Sequence, residues 1–260
     1  MYNHYVVLQY HGGGFAGWQR QKSDRTVQSE LETALRRIDG TPVTVHGAGR
    51  TDAGVHALGQ VASFLLSRQF EPSDLQRAIN ARTPDDIWVA EAGPAPESFH
   101  ARKSAIARRY RYVIGCDDAA WSPFRRPLEW AVGTPLDPAS LASAATLLIG
   151  EHSFRGLSAH NQTKPHYRCT VNEAKWSLRE ARDGFIFTID ANRFLHRMVR
   201  FLVGIMVDVA RGKRPLGDIS RLLKSDDNQD ASPPAPAQGL YFVRAHYPQL
   251  RLGPIYEILP

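Results

Sequence analysis

Cysteine is scarce: Cys116 and Cys169 are the two in 260 residues, and neither belongs to a C-x-x-C pair. That excludes a disulfide framework and a cysteine-ligated metal, and makes a reducing, cytoplasmic setting the expectation. Long apolar runs are missing as well. None approaches the ~18 residues of a membrane span, and the opening "MYNHYVVLQYHGGG" shows no basic leader, apolar stretch or small-residue cleavage site, so neither export nor a membrane partner is expected. The ten histidines are scattered, with no H-E-x-x-H arrangement, which leaves a catalytic metal without support. "HGGG", His11 to Gly14, imitates an esterase oxyanion loop, yet the chain has no G-x-S-x-G nucleophile elbow. "GGGFAG", Gly12 to Gly17, satisfies G-x-G-x-x-G, but "WQRQKSDRT" follows it, with no helix start to hold a pyrophosphate. Hydrolase, metalloenzyme and dinucleotide-dependent oxidoreductase readings all weaken, and no cofactor is expected.

What the chain does have is length for two domains and, at 43% hydrophobic residues, the material for their cores. Its formal charge of +6 favours a polyanionic partner. The charge concentrates in "FHARKSAIARRYRYVI", Phe99 to Ile114, where Arg102, Lys103, Arg108, Arg109 and Arg111 meet no acid within the segment and alternate with Tyr110 and Tyr112. Guanidinium groups hold phosphates and aromatic faces stack bases, which suits single-stranded or splayed RNA. A solvated edge strand would have the same composition.

Periodicity gives a repeated order. "YVVLQY" reads as a strand, and Val27, Leu31, Ala34, Leu35 and Ile38 mark one face of a helix over Thr26 to Ile38. "VTVHG" and "QVASFLL" read as strands, "SDLQRAINA" as a helix capped by Ser73, and "IWVAEA" as a strand. The order then restarts with strand "RYRYVI", a helix opened by Asp137 and Pro138 and closed by Gly150, and strands "VNEAKWSL" and "FIFTIDA". The apolar helix "FLHRMVRFLVGIMVDVA", a short "GDISRLLK" and a last strand "LYFVRA" complete it. Two β-α-β-β-α-β units predict an α+β protein of two ferredoxin-like domains with antiparallel sheets, residues 1–104 and 105–260. "SDDNQDASPPAPAQG", Ser225 to Gly239, reads as a connector.

Two residues call for a chemical explanation. Asp52 lies in "GAGRTDAGVH", a single carboxylate two positions after Arg50 among glycines, which is either a tight turn or a place where something approaches closely. Arg200 lies in the apolar helix, where its neighbours three and four positions away, His196, Arg197, Val203 and Gly204, include no acid. A buried cation needs a partner from elsewhere in the fold, and Asp52 is a candidate. Reaching to solvent, or binding phosphate directly, are the alternatives for Arg200.

"GAGRTDAGVHALGQVASF", with "GWQRQ", "FHARKSAIARRYRYVI", "FLHRMVR" and "APAQGLYFV" in that order, resembles the signature of the tRNA pseudouridine synthase A family over about Tyr5 to Tyr247. The chain departs from the family pattern at His11 in "YHG", Phe201 in "HRMVRF" and Gln238 in "AQGL". The resemblance implies that Asp52 is the nucleophile of uridine isomerisation, attacking ribose C1′ or base C6, and that Arg200 forms a salt bridge to it. Tyr110 would pack on a flipped uracil, with proton transfer at C5 as a further role, and Arg50 would fill the place of the displaced nucleotide. The arginines at 108, 109 and 111 would contact substrate. It implies further a homodimer, a catalytic cleft between the two domains, and uridines at positions 38, 39 and 40 of the tRNA anticodon arm as targets, with no metal and no nucleotide cofactor.

Overall fold

The computed structural model describes residues 1–159, 166–181 and 183–254. In chain order its strands and helices are β1 (Tyr2–Tyr10), α1 (Val27–Asp39), β2 (His46–Gly47), β3 (His56–Leu66), α2 (Pro72–Asn80), β4 (Ile87–Pro94), β5 (Ala107–Gly115), β6 (Trp130–Ala131), α3 (Pro138–Thr146), β7 (Gly150–Ser153), β8 (Arg168–Leu178), β9 (Gly184–Ala191), α4 (Met198–Ala210), α5 (Gly217–Leu222) and β10 (Leu240–His246). It is a mixed α+β protein. Contacts divide it into two units, one of Met1–Arg108 with the described residues from Tyr241 to Pro254, the other of Arg109–Leu240. The last strand, which sequence order attaches to the second half, groups by its contacts with the first.

In the first unit β1 lies between β4 and β3, antiparallel to both, and β10 adds to β3 in parallel through Tyr241 opposite His56 and Phe242 opposite Ala57. α1 forms where its periodicity puts it. Val27, Leu31, Ala34 and Leu35 are fully buried, Thr26 and Ser29 close a capping box, and Gly40 ends the helix at φ +81°, a conformation that suits glycine. Ser73 does not cap α2: Pro72 takes the first helical position, so the cap falls on Glu71, whose side chain makes no cap bond. "VTVHG" yields a strand only at His46–Gly47. The Val45 N–H donates to Glu32 at 3.1 Å and its carbonyl accepts from Gln28 at 3.1 Å, so side chains of α1 take the backbone groups a strand would have shared.

In the second unit the strand order is β5-β9-β8-β7, with β8 antiparallel to β7 and β9. α3 starts as expected, with the Asp137 carboxylate accepting from the N–H groups of Ala139 and Ser140. It ends at Thr146, and Gly150, at φ +102°, opens β7 instead of closing the helix. α4 is buried nearly all round, the pattern of a core helix. It begins at Met198, not at Phe194, because Arg197 stands in the left-handed region at φ 57° and interrupts helical backbone before it.

Candidate active site

The loop from Ala48 to Val55 carries Asp52, half-exposed, and Arg50, exposed. Its tip is a β-turn in which the Val55 N–H donates to the Asp52 carbonyl at 3.2 Å, with Gly54 at φ +79° in the third position, as a type II turn requires. A second segment, Gly12 to Trp18, packs against it backbone to backbone. A Cβ on Gly12 would lie 2.1 Å from the Val55 carbonyl oxygen, and one on Gly17, at φ +98°, 2.6 Å from that of Thr51. The Trp18 N–H donates to the Thr51 carbonyl at 3.0 Å, and the Trp18 indole covers Gly47, where a Cβ would stand 2.4 Å from the ring. The glycines that imitate a dinucleotide motif therefore serve to bring a second backbone onto the loop of Asp52.

Three side chains also hold this loop. The Tyr10 hydroxyl and Thr51 Oγ1 share a buried hydrogen bond of 2.8 Å, and burial pushes the Tyr10 phenol up to about 12, so it stays neutral through the physiological range. Gln60 brackets Gly49, donating to its carbonyl at 2.8 Å and accepting from its N–H at 3.4 Å. The Arg108 guanidinium donates to the carbonyls of Ala48 at 3.2 Å, Ala105 at 2.9 Å and Arg102 at 2.7 Å. Arg108, expected at substrate, is thus engaged with the protein's own backbone. Beside it, His46 and His100 stack at 4.5 Å, and His100 Nδ1 accepts the Arg102 N–H at 3.1 Å. Burial, then the neighbouring His46 and Lys103, hold the His100 ring below its ordinary value.

The second unit holds the other expected residues. Tyr110 is buried and meets Phe194 edge-on, ring centroids 4.8 Å apart. Arg109 pairs with Glu173 at 2.9 Å and Asp190 at 3.5 Å. Acids absent from its own segment arrive on β8 and β9. Arg111 is half-buried. Arg200 donates from Nε to the Ala235 carbonyl at 2.7 Å, and the Ala235 N–H donates back to the Arg200 carbonyl at 2.9 Å. The Tyr112 hydroxyl donates to the Pro236 carbonyl at 2.7 Å, and Gly204 leaves room for Pro233, whose oxygen would lie 2.3 Å from a Cβ there. The proline-rich stretch that reads as a connector is strapped along α4 at Arg200. Among the described residues no three His, Cys, Asp or Glu side chains gather as metal donors, and no helix is long and apolar enough to cross a membrane.

A family model described as tRNA pseudouridine synthase matches residues 6–102 and 144–248. The chain belongs to that family. It is 40% identical over 254 residues to the tRNA pseudouridine synthase A of Hydrogenovibrio crunogenus, covering 94% of this chain and 92% of the relative. It is 38% identical to that of Maridesulfovibrio salexigens, covering 95% and 91%, and 35% identical to that of Streptococcus thermophilus, covering 95% and 100%. A solved structure of a Cbf5-Nop10-Gar1 complex overlays 92% of this chain and 49% of its own at 9% identity and a TM-score of 0.41, too loose a match to argue from.

Sequence reasoning singled out Asp52, Arg50, Tyr110 and Arg200 but missed what holds them. Tyr10 reads as an ordinary strand residue, and Trp18 and Gln60 lie inside the motifs "GWQRQ" and "GAGRTDAGVHALGQVASF" with no role of their own assigned. The one available signal was Gln60, an amide in the middle of "HALGQVASF", a stretch otherwise apolar enough to be covered on both faces.

Proposed function

We propose that this chain isomerises uridine to pseudouridine in the anticodon arm of tRNA, at positions 38, 39 and 40, with Asp52 as the nucleophile. The observation that carries the assignment to Asp52 is its setting. It is a half-exposed carboxylate on a glycine-bearing turn packed by the backbone of Gly12 to Trp18, so it is both held in place and reachable from solvent. The reaction breaks the bond from uracil N1 to ribose C1′ and joins C1′ to C5. A carboxylate can form an adduct at C1′ or at C6 and leave again. The C5 proton passes to solvent, N1 regains a proton, and no electrons are gained or lost. The base must leave its stack for its reacting atoms to be reached.

In this reading Arg200 pairs with Asp52, favouring the ionised form and aiming it. Its grip on the Ala235 carbonyl through Nε supports the role, because it fixes the orientation of a planar guanidinium, the donor geometry a carboxylate recognises best. Tyr110 packs on the extruded uracil, and its edge contact with Phe194 supports a ring held ready for stacking. Arg50, exposed beside Asp52, takes the place of the displaced nucleotide. The β4-β1-β3 antiparallel order, with α1 and α2 entering between strands, supports a ferredoxin-like first domain of about residues 1–104, to which β10 from the remainder of the chain adds. The working enzyme is a cytoplasmic homodimer on one tRNA.

The test is tRNA carrying tritium at uridine C5, since joining C5 to C1′ releases that label to water. The wild type should release it without added metal or nucleotide. Asp52→Asn should abolish release while tRNA affinity stays within a few-fold, because little volume and no positive charge are lost. Substantial turnover by Asp52→Asn would remove Asp52 from the chemistry.

A further inference from the structure

β3 carries a glutamine where its neighbours are apolar. Gln60 is fully buried between Gly59 and Val61, and a primary amide taken out of water is costly unless its polar atoms are met. They are met by the loop of Asp52. The amide brackets Gly49 through both its N–H and its carbonyl, and it also hydrogen-bonds the Tyr10 phenol. That phenol, itself buried, bonds the hydroxyl of Thr51. One continuous set of hydrogen bonds thus runs from a sheet strand to Gly49 and Thr51, on either side of Arg50 and ending next to Asp52. Leucine at 60 and phenylalanine at 10 would fill nearly the same space with no polar atom to satisfy. They would keep a core, but they would not fix a loop in one register, because packing tolerates small slides that directional hydrogen bonds do not.

We propose that Gln60, Tyr10 and Thr51 are positioning residues for the reaction, a buried network whose task is to hold the Asp52 carboxylate where it attacks. The proposal rests on the reading of Asp52 as nucleophile. Reacting groups must be held within about 0.5 Å of the productive geometry, and Asp52 directly follows Thr51 in the loop this network holds. The network acts on the carboxylate from the side of the protein and does not itself touch substrate.

Tyr10→Phe and Thr51→Val each delete one hydroxyl and keep the shape. Three quantities are measured for each and for the double variant: the single-turnover rate of tritium release at saturating tRNA, the tRNA Kd, and Tm. Each single variant should slow release roughly tenfold with Kd nearly unchanged, as loss of orientation would do, and should lower Tm by a few degrees for the hydroxyl left without its partner. The double variant should be no slower than either single, since removing both partners leaves no orphaned hydroxyl. Wild-type rates in the singles overturn the proposal. So does a double variant slowed by the product of the single effects, which would mean the hydroxyls act separately, and so does a rate loss matched by loss of tRNA affinity. Gln60→Met should slow release at unchanged Kd; if it does not fold, the tyrosine and threonine variants still decide. Asp52→Asn is measured alongside. Residual turnover there sinks the nucleophile reading, whereas a dead Asp52→Asn beside a fully active Tyr10→Phe sinks only the network.

Discussion

Gly17→Ala puts a methyl group where the structure has backbone. The new Cβ would stand 2.6 Å from the Thr51 carbonyl oxygen, 3.1 Å from the Asp52 carbonyl carbon and 3.2 Å from the Ala53 nitrogen, against about 3.4 Å for an ordinary contact. No flexible side chain is in the way to swing aside, so the loop of Asp52 must retreat by most of an ångström or the Gly12–Trp18 segment must. A misplacement of about 1 Å at a reacting group can cost ~100-fold in rate, and a loss between roughly tenfold and a hundredfold in tritium release is expected. The backbone adds its own cost. Gly17 sits at φ +98°, where an L side chain costs about 1–2 kcal/mol, and each kcal/mol lowers Tm by roughly 2–4 °C in a chain of this size. Gly40→Ala separates the two effects. It stands at φ +81° with nothing within 4 Å of its Cβ position, so it should lower Tm comparably and leave the rate alone. If Gly17→Ala turns over like the wild type, or if Gly40→Ala loses as much activity, the loop is not held by that backbone contact.

Charge predicts where tRNA is felt. Arg102 and Lys103 are exposed while Arg109 is paired with Glu173, so Arg102→Gln with Lys103→Gln should flatten the slope of log affinity against log salt by up to about 2. Arg109→Gln alone should leave that slope unchanged; the opposite ranking would move the RNA-contacting surface. Asp137 is held below the usual carboxylate range by the Ser140 hydroxyl and the N–H groups of Ser140 and Ala139. Its contribution is therefore present above the unfolded carboxylate pKa and lost as pH falls through the lower folded value. Asp137→Ala should be less stable than the wild type at neutral pH, with the gap closing in acid denaturation below about pH 4; a gap constant with pH would refute the cap. Arg200→Met should slow tritium release at least tenfold, with Arg200→Lys intermediate because an ammonium lacks the planar two-donor geometry. Equal rates for all three proteins would refute the proposed pair.

Elements with a strong period and matching caps were legible from residues alone. α1 is the clear case, its buried face and its Thr26 cap both lying in the sequence, and the strands of "YVVLQY", "RYRYVI" and "FIFTIDA" fall inside β1, β5 and β9. What was not legible depended on partners distant in sequence. Glu32 and Gln28 take the backbone of Val45, which no local pattern announces. Arg108 and Arg109 look like free cations in a segment without acids, yet one folds onto three carbonyls and the other finds Glu173 and Asp190 across strands. The proline-rich stretch before β10 looks polar and indifferent, and it becomes the partner of Arg200 through Ala235.

The same dependence on context decides the glycine motif. "GGGFAG" satisfies the spacing of a phosphate-binding turn, yet no helix begins at its glycines; the structure gives that stretch a short 3-10 turn at Gly12–Gly14 and then loop. The glycines are nonetheless not idle. Gly12 and Gly17 permit two backbones to touch at Val55 and Thr51, and a loop fixed by backbone needs little side-chain bulk around it. In the proposed reaction a carboxylate that meets an extruded nucleotide has both requirements at once, rigidity behind it and open space before it. Glycine packing from Gly12–Trp18 and buried polar contacts from Tyr10 and Gln60 supply the first without taking away the second, which is why residues that resemble a cofactor site and an ordinary strand belong with Asp52.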